Sequence, residues 1–323
     1  MTTQSKLAKI NLYDKFNAAF VSLITPEMAE LNRVRKQNSY SSKPTFERPF
    51  DMPLEFISID GVNIRMAKSV INKEKETIVL LSAFPHSIVA YSPIWEELKS
   101  KYNLYTYDLP GFGASETKPE YMSFEFQGTF LDAFLRHFCI EQSHIVAPDV
   151  GMPSALSYLI NHQHKIKSLM IGDGPAALPT SEPSIMKKMV YSSFWRCMFI
   201  IAGSGALTES AKNLGNVRYV PNKYEISDYK KSHSGKVANN MKWFKKYPEG
   251  VKKIDQNLDN IKVPTKIFWG EHEAILHTKN AENLHNRLSN SELEIFDNCG
   301  HFVYQDDYKR FISLIQSWVE KHK

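Results

Sequence analysis

The chain has 323 residues, 40 Lys and Arg against 35 Asp and Glu, a formal net charge of +5 and 42% hydrophobic residues, which excludes a disordered or fibrous chain. The small positive excess is dispersed, which speaks against a nucleic-acid protein. Cys139, Cys197 and Cys299 form no disulfide framework and fit a reducing, cytoplasmic compartment, and neither a secretory leader nor an apolar run long enough to span a membrane is visible. In chain order, residues 1–50 come first, as a basic helical extension and linker. Leu7, Ile10, Phe16 and Phe20 suit one face of a helix packed on the body, with a membrane-surface helix as the alternative. Thr25-Pro26-Glu27 supplies an N-cap, a proline at the first helical position and an acid in the first turn of the next helix. Residues 36–49 are polar, with Ser39, Ser41, Ser42 and two prolines, and read as the linker.

Short apolar runs separated by helical patterns follow. Strands are expected over 54–59, 63–70, 77–83, 102–108, 143–148, 166–172, 265–270 and 293–297, the first two forming a hairpin about Asp60-Gly61. Helices are expected over 92–100, 124–138, 152–163, 278–288 and 307–321. This alternation describes an α/β protein: a mostly parallel eight-stranded sheet covered on both faces. Residues 176–258 break the rhythm, carrying aromatic residues among lysines and no buried strand, and read as an inserted helical cap. The core is then 51–175 together with 259–323.

The most informative segment is 143–160. A β-rich run ends at Ala147, a helical run begins near Met152, and Asp149 stands on the turn between them, flanked by the small residues Ala147 and Gly151. A strand-to-helix turn this tight admits only small neighbours and pushes its central side chain outward. The helix N-terminus beneath it favours negative charge.

With this elbow the chain resembles an α/β-hydrolase, in its aspartate-nucleophile branch of epoxide hydrolases and haloalkane dehalogenases. Two further loops carry the resemblance: LLSAFPHS (80–87), similar to the family's oxyanion-hole turn, and YDLPGFGAS (107–115), similar to its next characteristic loop. NCGHFVYQDD (298–307) resembles the loop that holds the family's base, which implies His301. KIFWGEHEAIL (266–276) resembles the loop that holds the acid, which implies Glu273, three residues beyond Gly270. Asp173 lies near a second acid position used in part of the family; its plainer reading is a turn residue or helix cap.

These likenesses imply a cofactor-free hydrolase. A carboxylate displaces a leaving group from saturated carbon and forms an alkyl-enzyme ester, which histidine-activated water then cleaves. Asp149 is the expected nucleophile, His301 the base and Glu273 its partner, with the backbone N–H groups of Phe84 and Val150 as oxyanion hole. Epoxide hydrolases of the branch use cap tyrosines as donors to the epoxide oxygen, and Tyr219, Tyr224 and Tyr247 are the candidates; Tyr229 is also in reach by sequence. MKWFKKYP (241–248) departs from the family in having Phe244 where one such tyrosine follows a tryptophan. Halide chemistry, ester or lactone hydrolysis, and a non-catalytic small-molecule binder on the same fold stay open as alternatives. The expected ligand is a small apolar organic molecule, with no nucleic acid, and the chain a monomer or homodimer. His272 and His277 are five apart and do not share a helix face, and no cysteine pair accompanies them, so no metal is expected. GFG at 111–113 lacks the strand–loop–helix order of a phosphate site, so no nucleotide cofactor is implied.

Overall fold

Runs rich in Val, Ile and Leu between turn residues form the strands of the computed structural model, which describes residues 7–175, 177–178, 180 and 184–323. The strands are β1 (Leu54–Ile59), β2 (Val62–Ser69), β3 (Thr77–Leu81), β4 (Asn103–Tyr107), β5 (Ser143–Pro148), β6 (Ile166–Gly172), β7 (Thr265–Gly270) and β8 (Ser291–Phe296). They make one eight-stranded sheet in the order β1-β2-β4-β3-β5-β6-β7-β8. The first two pairings are antiparallel and the rest parallel. Asp60 and Gly61, both at positive φ, turn the β1–β2 hairpin as the sequence predicts. Alternation sorts the side chains: Val79, Leu81, Ile145 and Ala147 enter the core on one face, Ile78, Leu80 and Val146 the core on the other.

Helices α1 (Leu12–Leu23) and α2 (Met28–Gln37) precede the sheet, and α3 (Ser92–Lys99), α4 (Phe124–His137) and α5 (Gly151–His162) connect its strands. Between β6 and β7 lies the inserted helical cap: α6 (Ser184–Tyr191), α7 (Ser193–Gly215), α8 (Lys223–Ser232) and α9 (Val237–Asp255). The expected start of the cap, residue 176, lies outside the described residues. Helices α10 (Lys279–Arg287), α11 (Val303–Asp306) and α12 (Tyr308–Lys321) complete the chain.

A buried ionic clamp fixes the cap over the sheet. Arg65 on β2 donates through Nε to Asp108 Oδ2 at 2.7 Å and through its two terminal nitrogens to both oxygens of Asp228 on α8, at 2.7 and 3.0 Å. Asp108 also accepts the N–H groups of Ile88 and Ala114, both at 2.8 Å, so one carboxylate gathers both loops that flank the site. Gly113 is needed there: it sits at φ +50°, and a Cβ would lie 2.1 Å from Asp108 Cγ. Breaking such a buried pair from one side leaves a charge unmatched, at a cost of about 3–5 kcal/mol.

The N-terminal extension differs from the expectation. The sequence pattern puts Phe16 and Phe20 on the packed face of the first helix, yet they are 72% and 41% exposed, and Ala18 and Val21 face inward instead. A polar anchor sets this rotation. Asp14 closes a capping box with Asn11, then pairs with Lys230 of α8 at 2.5 Å. Gly205 of α7 leaves room for it, since a Cβ there would meet Asp14 Oδ1 at 2.2 Å. Thr25 likewise does not cap α2: its hydroxyl donates back to Val21 O at 2.7 Å, and α2 starts at Met28 behind Glu27.

Candidate active site

Strand β5 ends at Pro148 and α5 starts at Gly151, so the chain reverses within two residues. Asp149 takes the strain at φ +50°, a region that aspartate tolerates better than most non-glycine residues. Its neighbours must be small. A Cβ on Gly151 would stand 2.9 Å from Leu81 Cβ, and one on Gly174 would stand 2.5 Å from Asp149 O. The turn lifts the carboxylate above the ends of the parallel strands, at the N-terminus of α5, where the helix dipole favours an anion. Oδ2 accepts the backbone N–H of Phe84 at 2.5 Å, and Oδ1 lies 3.7 Å from His301 Nε2. Val150 follows directly and begins the helix.

His301 reaches this point from the loop after β8. Gly270 and Gly300 let two backbones touch, since a Cβ on Gly270 would lie 2.0 Å from Gly300 O. Asp306, buried, accepts the N–H of Gly300 at 2.8 Å and those of Val217, Arg218 and Tyr219 between 2.7 and 2.9 Å, tying the histidine loop to the cap. His301 Nδ1 faces Glu273 Oε2 at 2.5 Å, and the other Glu273 oxygen accepts Ile275 N–H at 2.5 Å. Burial works against the imidazolium, but the Glu273 and Asp149 carboxylates outweigh it and hold the His301 pKa well above its ordinary value.

Asp173, at φ +52° after β6, lies beside the same pair. Burial, then the neighbouring Glu273 carboxylate, push its pKa well above the ordinary carboxyl range. One of its oxygens accepts Gly270 N–H at 3.4 Å, and the other has no hydrogen-bond partner among the described residues. Asp173, Glu273 and His301 each offer a donor atom within 4.8 Å of the others. The trio does not fit a metal, because Nδ1 and Oε2 stand 2.5 Å apart. Two ligands of one tetrahedral zinc at about 2.0 Å would be roughly 3.3 Å apart.

This arrangement separates the two candidate acids by experiment. Glu273→Gln is expected to lower kcat by about 10³–10⁴-fold, because the imidazolium loses its partner. Asp173→Asn keeps the oxygen that accepts Gly270 N–H and leaves the Glu273–His301 contact in place, so it is expected to leave kcat within about threefold. Steady-state kinetics on both variants checks this, and the reverse ranking would reassign the acid.

Asp149 and His301 open onto an apolar cavity. Phe84, Pro85 and Val150 wall it at the elbow, Ile185, Met186 and Met189 from α6, Phe199, Leu207 and Leu214 from α7, and Trp243, Phe244 and Tyr247 from α9. Besides Asp149 and His301, the described lining residues with a polar side-chain atom are Ser210, Trp243 and Tyr247.

Of the expected tyrosines, Tyr247 lines this cavity, whereas Tyr219 and Tyr224 are not among its lining residues. The backbone of Tyr219 is captured by Asp306, and its hydroxyl donates to Glu225 at 2.7 Å. Tyr224 follows the N-cap Asn222 on the outer side of α8 and is 40% exposed. Tyr229 stacks on His86 at 4.5 Å. Residues that sequence reasoning missed are Ser210, Trp243, the α6 methionines and, least expected, Val21 of α1. The signal for Val21 was the small-and-apolar spacing Ala18, Val21, Thr25, which competes with the larger side chains on the opposite face.

A family model described as alpha/beta hydrolase fold matches residues 76–308 of this chain. The chain is similar to the uncharacterized hydrolase YugF of Bacillus subtilis (strain 168), 22% identical over 256 residues, which are 79% of this chain and 93% of that protein. Among solved structures it is similar to the epoxide hydrolase CorEH without ligand, at 16% identity and a TM-score of 0.73, over 84% of this chain and 100% of that one. It is also similar to epoxide hydrolase VrEH1 from Vigna radiata, at 15% identity and a TM-score of 0.68, over 84% of this chain and 98% of that one. At such identities the likeness to these structures is one of fold alone.

Proposed function

This chain belongs to the α/β-hydrolase fold family, and from that premise we propose that it is a cofactor-free hydrolase of the epoxide-hydrolase kind. The observation that carries this reading is a carboxylate at the elbow instead of a hydroxyl, with a backbone N–H on one oxygen and an imidazole beside the other. The Oδ1 atom of Asp149 attacks a carbon of the epoxide ring, the carbon–oxygen bond breaks, and the leaving oxygen takes a proton from the Tyr247 hydroxyl. The product is an ester between substrate and Asp149. His301 Nε2 then removes a proton from water, and the hydroxide formed attacks the ester carbonyl. The N–H groups of Phe84 and Val150 hold the resulting oxyanion, a stabilisation that typically contributes about 2.7–4 kcal/mol for each donor. On collapse the ester carbon–oxygen bond breaks and the departing alkoxide takes the acid proton of Asp149 to give the diol; the proton held on His301 returns to Tyr247 through solvent, and Asp149 keeps one oxygen from water. Glu273 holds the imidazole in the tautomer that presents Nε2 and balances its charge.

The apolar lining supports an apolar substrate with a single polar centre. Turnover of an aryl epoxide in heavy-oxygen water tests the reading by mass spectrometry of the peptide that contains Asp149. The expected result is diol formation with heavy oxygen accumulating in Asp149 over many turnovers. Diol formation with Asp149 unlabelled would sink the covalent mechanism, and absence of diol from any epoxide would sink the substrate class.

A further inference from the structure

Burial directs most apolar side chains inward, yet α1 and α7 carry apolar stripes on two opposite faces. On α1, Val21 lines the cavity while Leu12, Phe16 and Leu23 are 83%, 72% and 82% exposed. On α7, Phe199 lines the cavity while Phe194 and Ile201 are 65% and 59% exposed. The helices lie antiparallel against each other. Tyr13, near the start of α1, donates its hydroxyl to Ile201 O at 3.0 Å, and Phe20, near its end, stacks on Trp195, near the start of α7, at 6.2 Å. The two outer stripes therefore merge into one apolar face. A contiguous exposed apolar patch of this kind marks an interaction site.

We propose that the α1–α7 face seats this protein on the surface of an anionic lipid membrane, from which an apolar substrate passes between the two helices into the cavity. Charge favours lipid over a second copy of the chain. Residues 7–24 and 184–215 contain Lys9, Lys15, Lys187, Lys188, Arg196 and Lys212 against two acids, Asp14, which is buried on Lys230, and Glu209, which is paired with Lys212. A two-fold interface sets the same patch against itself, so two copies meeting here would oppose these cations to one another. Anionic headgroups neutralise them instead. No helix among the described residues is long and apolar enough to cross a bilayer, so the contact lies on the surface. The face and the cavity also share their walls, since Val21 and Phe199 sit on the inner sides of the helices that carry the outer stripes. Docking itself is independent of Asp149 chemistry; only the delivery of substrate rests on the function proposed above.

The test is co-sedimentation of the full chain with phosphatidylcholine vesicles, with and without phosphatidylglycerol. Wild type is expected to bind the vesicles that contain phosphatidylglycerol and to be released by salt. The double variant Phe16→Glu/Phe194→Glu is expected to bind roughly a hundredfold more weakly, and to melt as wild type does because both side chains are exposed. Wild type that stays in the supernatant with both vesicle types overturns the proposal, as does undiminished binding by the double variant. A wild-type dimer in sedimentation velocity that the double variant dissolves overturns it too, because the face would then join copies of the chain. Asp149→Asn, carried in parallel, is expected to bind vesicles like wild type, which keeps the failure of docking distinct from the failure of the catalytic reading.

Discussion

Asp149→Asn is expected to lower kcat/KM by at least about 10⁴-fold while the fold survives. An amide oxygen cannot displace a leaving group from saturated carbon, so the first bond never forms. The variant is structurally mild for a specific reason: asparagine tolerates the left-handed backbone that Asp149 adopts at φ +50°, and its amide oxygen still accepts the Phe84 N–H. Alanine would confound the test by adding backbone strain. The substitution also has an electrostatic signature. The Asp149 carboxylate is one of two that raise the pKa of His301 well above its ordinary value. A base whose pKa is raised on folding contributes stability that is complete below the unfolded value of about 6.5 and is lost as pH rises through the folded value. Wild type should therefore lose stability from near neutrality into the alkaline range, and Asp149→Asn should show a shallower decline. Activity assays and thermal melts across that range measure both effects. Retention of more than about one per cent of activity would remove Asp149 from the role of nucleophile.

The parts that could be read from residue order are those whose cause is local. Strands β5 and β6 are short Ile-, Val- and Leu-rich runs bounded by turn residues, and their limits match the expectation residue for residue. The Asp60-Gly61 hairpin and the aspartate between small residues are local in the same sense. Glu273 and Asp173 illustrate the boundary of such reading. Both stand just beyond strand ends, and only the folded loops show that Glu273 meets Nδ1 while Asp173 sits against Gly270. Long-range contacts decided the rest. The rotation of α1 follows from an ion pair to Lys230 and a gap at Gly205, both some two hundred residues away. Tyr219 turns from the cavity because Asp306 captures its backbone. No spacing rule within α1 or the cap contains that information.

His301→Gln is expected to form the ester and stop there. The first step uses the Asp149 carboxylate directly and needs no base, whereas the second needs a group that takes a proton from water at the position of Nε2. Glutamine fills much of the same volume but does not accept that proton, and release of the ester should slow by about 10²–10⁴-fold. Mixing the variant with an aryl epoxide should then consume about one equivalent of substrate per site. The peptide that contains Asp149 should gain the mass of the intact epoxide. The charges at the site make the same prediction for pH. In the resting enzyme both Asp149 and Glu273 favour the imidazolium. Once Asp149 is esterified, one of those charges is gone, the His301 pKa falls, and the neutral imidazole becomes more abundant at the step that requires it. Lowering the pH should therefore make the ester build up in wild type, whereas in His301→Gln its amount should not vary with pH. Slow diol formation by the variant with no adduct at any pH would point instead to water attacking the substrate without a covalent stage.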